Sequence, residues 1–149
     1  MESEEIIGKA ILDAAFKVHS SLGPGLLESV YEAALAHELI KAGHRVERQK
    51  AIPVIYDGQQ LEVGFRADLI VDALVLVQLK SVEALAAVFK KTTTTYLRLI
   101  PLRLGFLINF NEALLKNGIL RVTNGLEGKE YLAQTSRASR PSRDITFNL

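Results

Sequence analysis

The sequence predicts an α/β (α+β) chain in which helices cover a central sheet, and three observations carry that prediction. Residues 65–80 hold two neighbouring apolar runs that scarcely alternate, the pattern of strands covered on both faces. Apolar residues at helical spacing occupy long segments before and after those runs. The length of 149 residues and the hydrophobic content of 48% suit one domain with a single sizeable core.

Taken in order, residues 4–22 place Ile7, Ile11, Ala14, Ala15 and Val18 on one stripe and predict a first amphipathic helix. The segment Ser21-Leu22-Gly23-Pro24-Gly25 ends it. A second helix is predicted over 26–42, with Gly43 as its stop. Residues 45–49 and 52–56 read as two short strands, and Pro53 confines the second to an edge or a strand beginning. Asp57-Gly58 is a hairpin turn that returns the chain to the central pair. A third long helix is predicted over 82–99, although its run Thr92-Thr93-Thr94-Thr95 is a poor helix former. Pro101 ends that helix, and residues 102–110 give a further buried strand. A short helix over 111–116 and an edge strand over 119–122 complete the domain, assigned to residues 1–125. Residues 126–149 are polar and Ser/Arg-rich in their middle, the composition of a flexible tail.

Register decides what the central pair presents. A two-residue turn at Asp72-Ala73 would pair Asp68 with Val77 and put Gln78 on the opposite face. A three-residue turn, Asp72-Ala73-Leu74, pairs Val71 with Val75 and therefore Asp68 with Gln78 and Arg66 with Lys80. The second arrangement is preferred. It leaves Ala67, Leu69, Val71, Val75, Val77 and Leu79 as one apolar face and gathers a carboxylate, an amide, a guanidinium and an ammonium on the other. A solvated face on an edge hairpin would show the same pattern.

The totals exclude several classes. A net charge of +1 and a pI near 8.0 provide no global basic field, so any nucleic-acid contact rests on a local patch. The absence of Cys removes disulfide frameworks, thiolate zinc sites and cysteine nucleophiles together. An acidic start and the lack of a long apolar run point to a cytoplasmic protein with no membrane partner. His19, His37 and His44 lie on separate predicted elements and form no ligand cluster. The Gly-Pro-Gly loop lacks the spacing of a phosphate cradle. Asn109 and Asn111 flank a strand end, where capping is their ordinary role. Apolar strands at a sheet edge leave room for a homo-oligomer.

On the second helix Gly25, Glu28 and Tyr31 form a Gly-x-x-Glu-x-x-Tyr pattern, with Glu28 and Tyr31 on one face. Alone, Glu28 reads as a helix-dipole partner and Tyr31 as core. Together with Arg66-Ala67-Asp68, Gln78-Leu79-Lys80, Tyr96-Leu97 and Leu107-Ile108-Asn109-Phe110-Asn111, the ordered set resembles the bacterial GxxExxY proteins of the PD-(D/E)XK nuclease superfamily. The resemblance spans residues 6–125. It implies a restriction-endonuclease-like core, a mixed central sheet flanked by helices, and a Mg²⁺- or Mn²⁺-dependent nuclease acting on nucleic acid, DNA ahead of RNA. It implies Asp68, Gln78, Lys80 and Glu28 as the catalytic set, with Asp68, Gln78 and Glu28 toward the metal and Tyr31, Arg66 and Tyr96 in support. At position 78 the pattern usually carries Glu, so Gln78 lowers the expected cation affinity, and Thr92 stands where a helix Gln is usual. A catalytically inactive nuclease-fold binding or assembly module is the alternative.

Overall fold

The computed structural model describes residues 2–125; the predicted C-terminal tail lies outside the described residues. Helix α1 (Glu2–Leu22) buries the stripe expected of it, with Ile11 and Ala15 fully enclosed. Helix α2 (Glu28–Lys41) ends in the hydrogen-bond pair of a Schellman cap: the Gly43 N–H donates to the Ile40 carbonyl and the His44 N–H to that of Leu39. The left-handed backbone at Gly43, φ 97°, is what that cap demands.

Five strands follow the order β1-β2-β3-β4-β5 in one sheet. Strand β2 (Gln59–Val71) pairs antiparallel with both β1 (Val46–Tyr56) and β3 (Val75–Lys80), and β4 (Leu104–Asn109) pairs parallel to β3. Strand β5 (Ile119–Thr123) is antiparallel to β4 and, among the described residues, forms the far edge, so the sheet is mixed. Helix α3 (Ala87–Leu99) makes the crossover between the parallel pair β3 and β4.

Helices α1 and α2 cover one face over a core that includes Leu69, Val71, Val75, Val77, Leu79, Phe106 and Ile108. Helix α3 covers the other through Leu97, which packs with Ile52, Ile70, Leu76 and Val122. Both faces of β3 are thus buried, which explains its continuous apolar sequence.

Several expectations need correction. Residues 45–49 and 52–56 are one continuous edge strand, β1, in which Gln49 takes a left-handed backbone, φ 51°. Pro53 fits there because an edge strand has an unpaired side, and the register with β2 shifts immediately after it. Gly64 faces that shift because any Cβ would collide with the Ile52 carbonyl. Helix α3 begins at Ala87, five residues after Val82, because Val82 is engaged elsewhere. The Asn109 side chain accepts from the Val82 N–H and donates to its carbonyl, which Asn111 also reaches. The predicted helix over 111–116 is instead a 3₁₀ turn at Leu115–Gly118. The threonine run is helical despite its low propensity, and the hydroxyls of Thr93, Thr94 and Thr95 donate to the carbonyls of Phe89, Lys90 and Lys91 one turn back.

Candidate active site

The β2–β3 hairpin has the register set by the three-residue turn, with Val71 opposite Val75 and Leu69 opposite Val77. Beyond Leu69 and Val77 the ladder stops and side chains take over its bonding. The Asp68 N–H donates to Gln78 Oε1 at 2.9 Å, and the Leu79 N–H donates to Asp68 Oδ2 at 2.8 Å. Each side chain thereby satisfies a backbone donor that the opened ladder has released. Gln78 is buried in doing so, 8% exposed.

The opening has a counterpart on the other side of β2. The β1–β2 ladder runs through Arg48–Leu69 and Lys50–Ala67 but skips Gln49 and Asp68, where the left-handed Gln49 interrupts it. The pleat of β2 breaks at the same point. Ala67 packs with the α3-side cluster while Leu69 packs under α1 and α2, although residues two apart on a regular strand share a face. Ala67 therefore departs from the apolar face predicted for it. Arg66 departs from its predicted cross-strand partner Lys80 as well: its guanidinium donates to the Gln49 carbonyl at 3.1 Å, fixing the interruption in β1.

Helix α2 supplies the rest. Tyr31 is fully buried, stacked on Phe110 with centroids 4.6 Å apart. Its hydroxyl donates to the Gly23 carbonyl at 2.6 Å and accepts from the Leu26 N–H at 3.1 Å. That pair of bonds ties the Gly-Pro-Gly loop to the start of the helix. Ser81, just past β3, donates to the Leu26 carbonyl at 2.6 Å and joins the same corner. One helical turn after exposed Glu28 comes buried Glu32, on the same side of α2.

Glu32 meets the sheet through an amide. Gln49 Nε2 donates to Glu32 Oε1 at 2.6 Å and to Asp68 Oδ1 at 3.1 Å, so its two amide hydrogens serve two carboxylates. Arg48 Nε completes Glu32 at 3.0 Å from its other oxygen. Burial raises the Asp68 carboxyl above its ordinary range, and the negative charges of Glu32 and Glu28 push the same way, against the lowering pull of the Leu79 N–H and Gln49. Lys80 lies over the Phe89 ring, its Nζ 4.3 Å from the centroid. On the same turn of α3, burial pushes Lys90 down to about 5. Tyr96, further along, stacks on Phe65 of β2 at 3.6 Å and so fastens α3 to the hairpin.

Asp68 at the flared end of the central hairpin, Gln78 ten positions on and the acids of a flanking helix meet at this corner of the fold, while Lys80, twelve positions on, is turned to Phe89 of α3. The sequence model of the PD-(D/E)XK nuclease superfamily matches residues 5–122. The chain belongs to this superfamily. No curated protein and no solved structure matches it.

PD-(D/E)XK nucleases generally use divalent metals. The donor chemistry here suits such an ion, since Asp68, Glu28 and Glu32 bring hard oxygens and a surplus of negative charge to one place. As the side chains stand, no group of three or more acids or imidazoles among the described residues is arranged to enclose a metal. The Gln49 amide lies between two of them. The histidines take other partners: His19 Nε2 bonds the Glu112 carbonyl and His44 Nδ1 bonds Asp72. Two members of the corner, Glu32 and Gln49, escape a reading of the sequence. Glu32 does fall four residues after Glu28, a spacing that in principle announces a shared helix face.

Proposed function

We propose that this PD-(D/E)XK protein is a divalent-cation-dependent phosphodiesterase acting on nucleic acid, DNA ahead of RNA, with Asp68 at its centre. The observation that carries the reading is the placement of Asp68: half-buried at the open end of the hairpin, oriented by the Leu79 N–H, and flanked by the charges of Glu28 and Glu32. Such a gathering of negative charge is stabilised by a cation. Asp68, Glu28 and Gln78 would hold Mg²⁺ or Mn²⁺, joined by Glu32. The ion, when bound, supplies Lewis acidity to the phosphate and lowers the pKa of water.

The chain's own residues do the rest. Gln78 and Asp68 keep the hairpin open at the reacting end through their bonds to backbone N–H groups. Lys80 would orient the attacking water once it leaves Phe89. Tyr31, Arg66 and Tyr96 position α2, β1 and α3 around them. The order Gly25, Glu28, Tyr31 supports a place for the chain near the GxxExxY branch.

The test is incubation of the full chain with linear, nicked and branched DNA, and with RNA, in Mg²⁺ or Mn²⁺. Cleavage that falls to background in Asp68→Ala supports the reading, and cleavage indifferent to that change belongs to a contaminant. A second reading, a binding or assembly module without catalysis, is favoured by the neutral amide at Gln78. Cleavage that appears only in Gln78→Glu would establish it.

A further inference from the structure

We propose that Gln49 is a built-in competitor for the cation, its side-chain amide occupying the space between Asp68 and Glu32 that a divalent ion must take. The inference rests on the reading of Asp68 as a metal carboxylate and adds a residue that governs access to it.

The amide is placed as a cation would be. Its nitrogen stands 2.6 Å from an oxygen on α2 and 3.1 Å from an oxygen on β2, and it links elements that meet nowhere else through carboxylates among the described hydrogen bonds. Two acceptor carboxylates dictate the orientation, because the amide oxygen turned toward them would face lone pairs. A primary amide carries only a fraction of a positive charge, so it relieves the repulsion between the acids less than a divalent ion does.

It is also placed to leave. Gln49 is exposed, stands on an edge strand of the described sheet, and sits where the β1–β2 ladder is skipped. Its left-handed φ of 51° is unusual for a residue with a Cβ, and Arg66 holds its carbonyl from behind. The backbone is fixed while the side chain reaches the acids through bonds that a rotamer change breaks. Swinging out releases both carboxylates together, which a hard cation then takes up. Gln49 thus sets the cation concentration at which the site fills, and holds the two layers together when the concentration is lower.

Isothermal titration of the full chain with Mn²⁺ tests the proposal, comparing wild type with Gln49→Ala. The expected result is a gain in affinity of about tenfold or more, since the two charge-assisted hydrogen bonds of the Gln49 amide no longer have to be displaced. Asp68→Asn in the Gln49→Ala background should abolish the gain. Gln49→Glu provides a second route, since it replaces the donor by a third acid: its melting temperature in EDTA should lie below that of wild type and rise further on adding Mn²⁺. Equal Mn²⁺ affinity in wild type and Gln49→Ala, or no binding in either, overturns the proposal. The two readings separate cleanly. An affinity gain without DNA cleavage leaves Gln49 as competitor and removes the nuclease, whereas cleavage with equal affinities does the reverse.

Discussion

The two ends of the β2–β3 hairpin lie on the same pair of strands and behave oppositely. At the turn end Val71 and Val75 pair directly, the ladder is complete, and apolar packing closes both faces. At the far end, three residues from the turn, Asp68 and Gln78 interrupt the ladder and replace its backbone bonds with side-chain ones. The closed end supplies the free energy that the open end consumes. A strand pair prised apart and lined by acids would not persist alone; it persists because it continues into a packed core.

The sharpest break in this comparison is at the closed end. Leu76 is fully buried against the α3 side, and Leu76→Ala should destabilise the fold by about 2–5 kcal/mol, read as a lower denaturation midpoint at an unchanged denaturant slope. Next comes Asn109, fully buried and bonded to both the N–H and the carbonyl of Val82. Asn109→Ala leaves the Val82 N–H unmatched and its carbonyl to Asn111 alone, and should remove about 1–3 kcal/mol. Faster amide exchange confined to the 81–86 loop would accompany it.

Tyr31→Phe keeps the stack on Phe110 but deletes the hydroxyl shared by Gly23 and Leu26. A loss of about 1 kcal/mol is expected. DNA cleavage should weaken as the start of α2 loses its tie to the loop.

The open end should give the smallest effect, with the opposite sign. Because burial and then the acids Glu32 and Glu28 raise the Asp68 carboxyl above 3.8, the folded chain holds that proton more readily than the unfolded chain does. Its contribution to stability is therefore complete below pH 3.8 and is lost as pH rises through the window above that value. Asp68→Asn removes the loss. At pH 7 the variant should melt at or slightly above the wild-type temperature, with a flatter stability profile above pH 3.8, while cleavage disappears. A drop of several degrees would show that Asp68 stabilises the fold and that the two ends do not differ as described.

The closed end was open to reading from the chain alone. Unalternating apolar runs specify two-sided burial, and the turn at Asp72-Ala73-Leu74 sets the register that brings Asp68 to Gln78. The start of α3 was hidden because Asn109 and Asn111, far along the chain, hold Val82 in an extended loop. Gln49 was hidden for a different reason. Left-handed backbone is ordinarily announced by Gly or Asn, and here a glutamine adopts it under the grip of Arg66 from the neighbouring strand. Glu32 acquires its role only when α2 docks, since its partners Arg48 and Gln49 belong to the edge strand. Local pattern encodes the layers; what meets between layers is fixed by their docking.

The hydroxyl of Tyr31 has a mechanical corollary. Glu28 and Glu32 ride on one rigid rod while Asp68 and Gln78 are carried by the sheet, so half of the polar centre belongs to each body. The Tyr31 hydroxyl clasps the loop at the rod's end, and Ser81 fastens that same loop to the end of β3, so the spacing of the acids hangs on one corner that contains none of them.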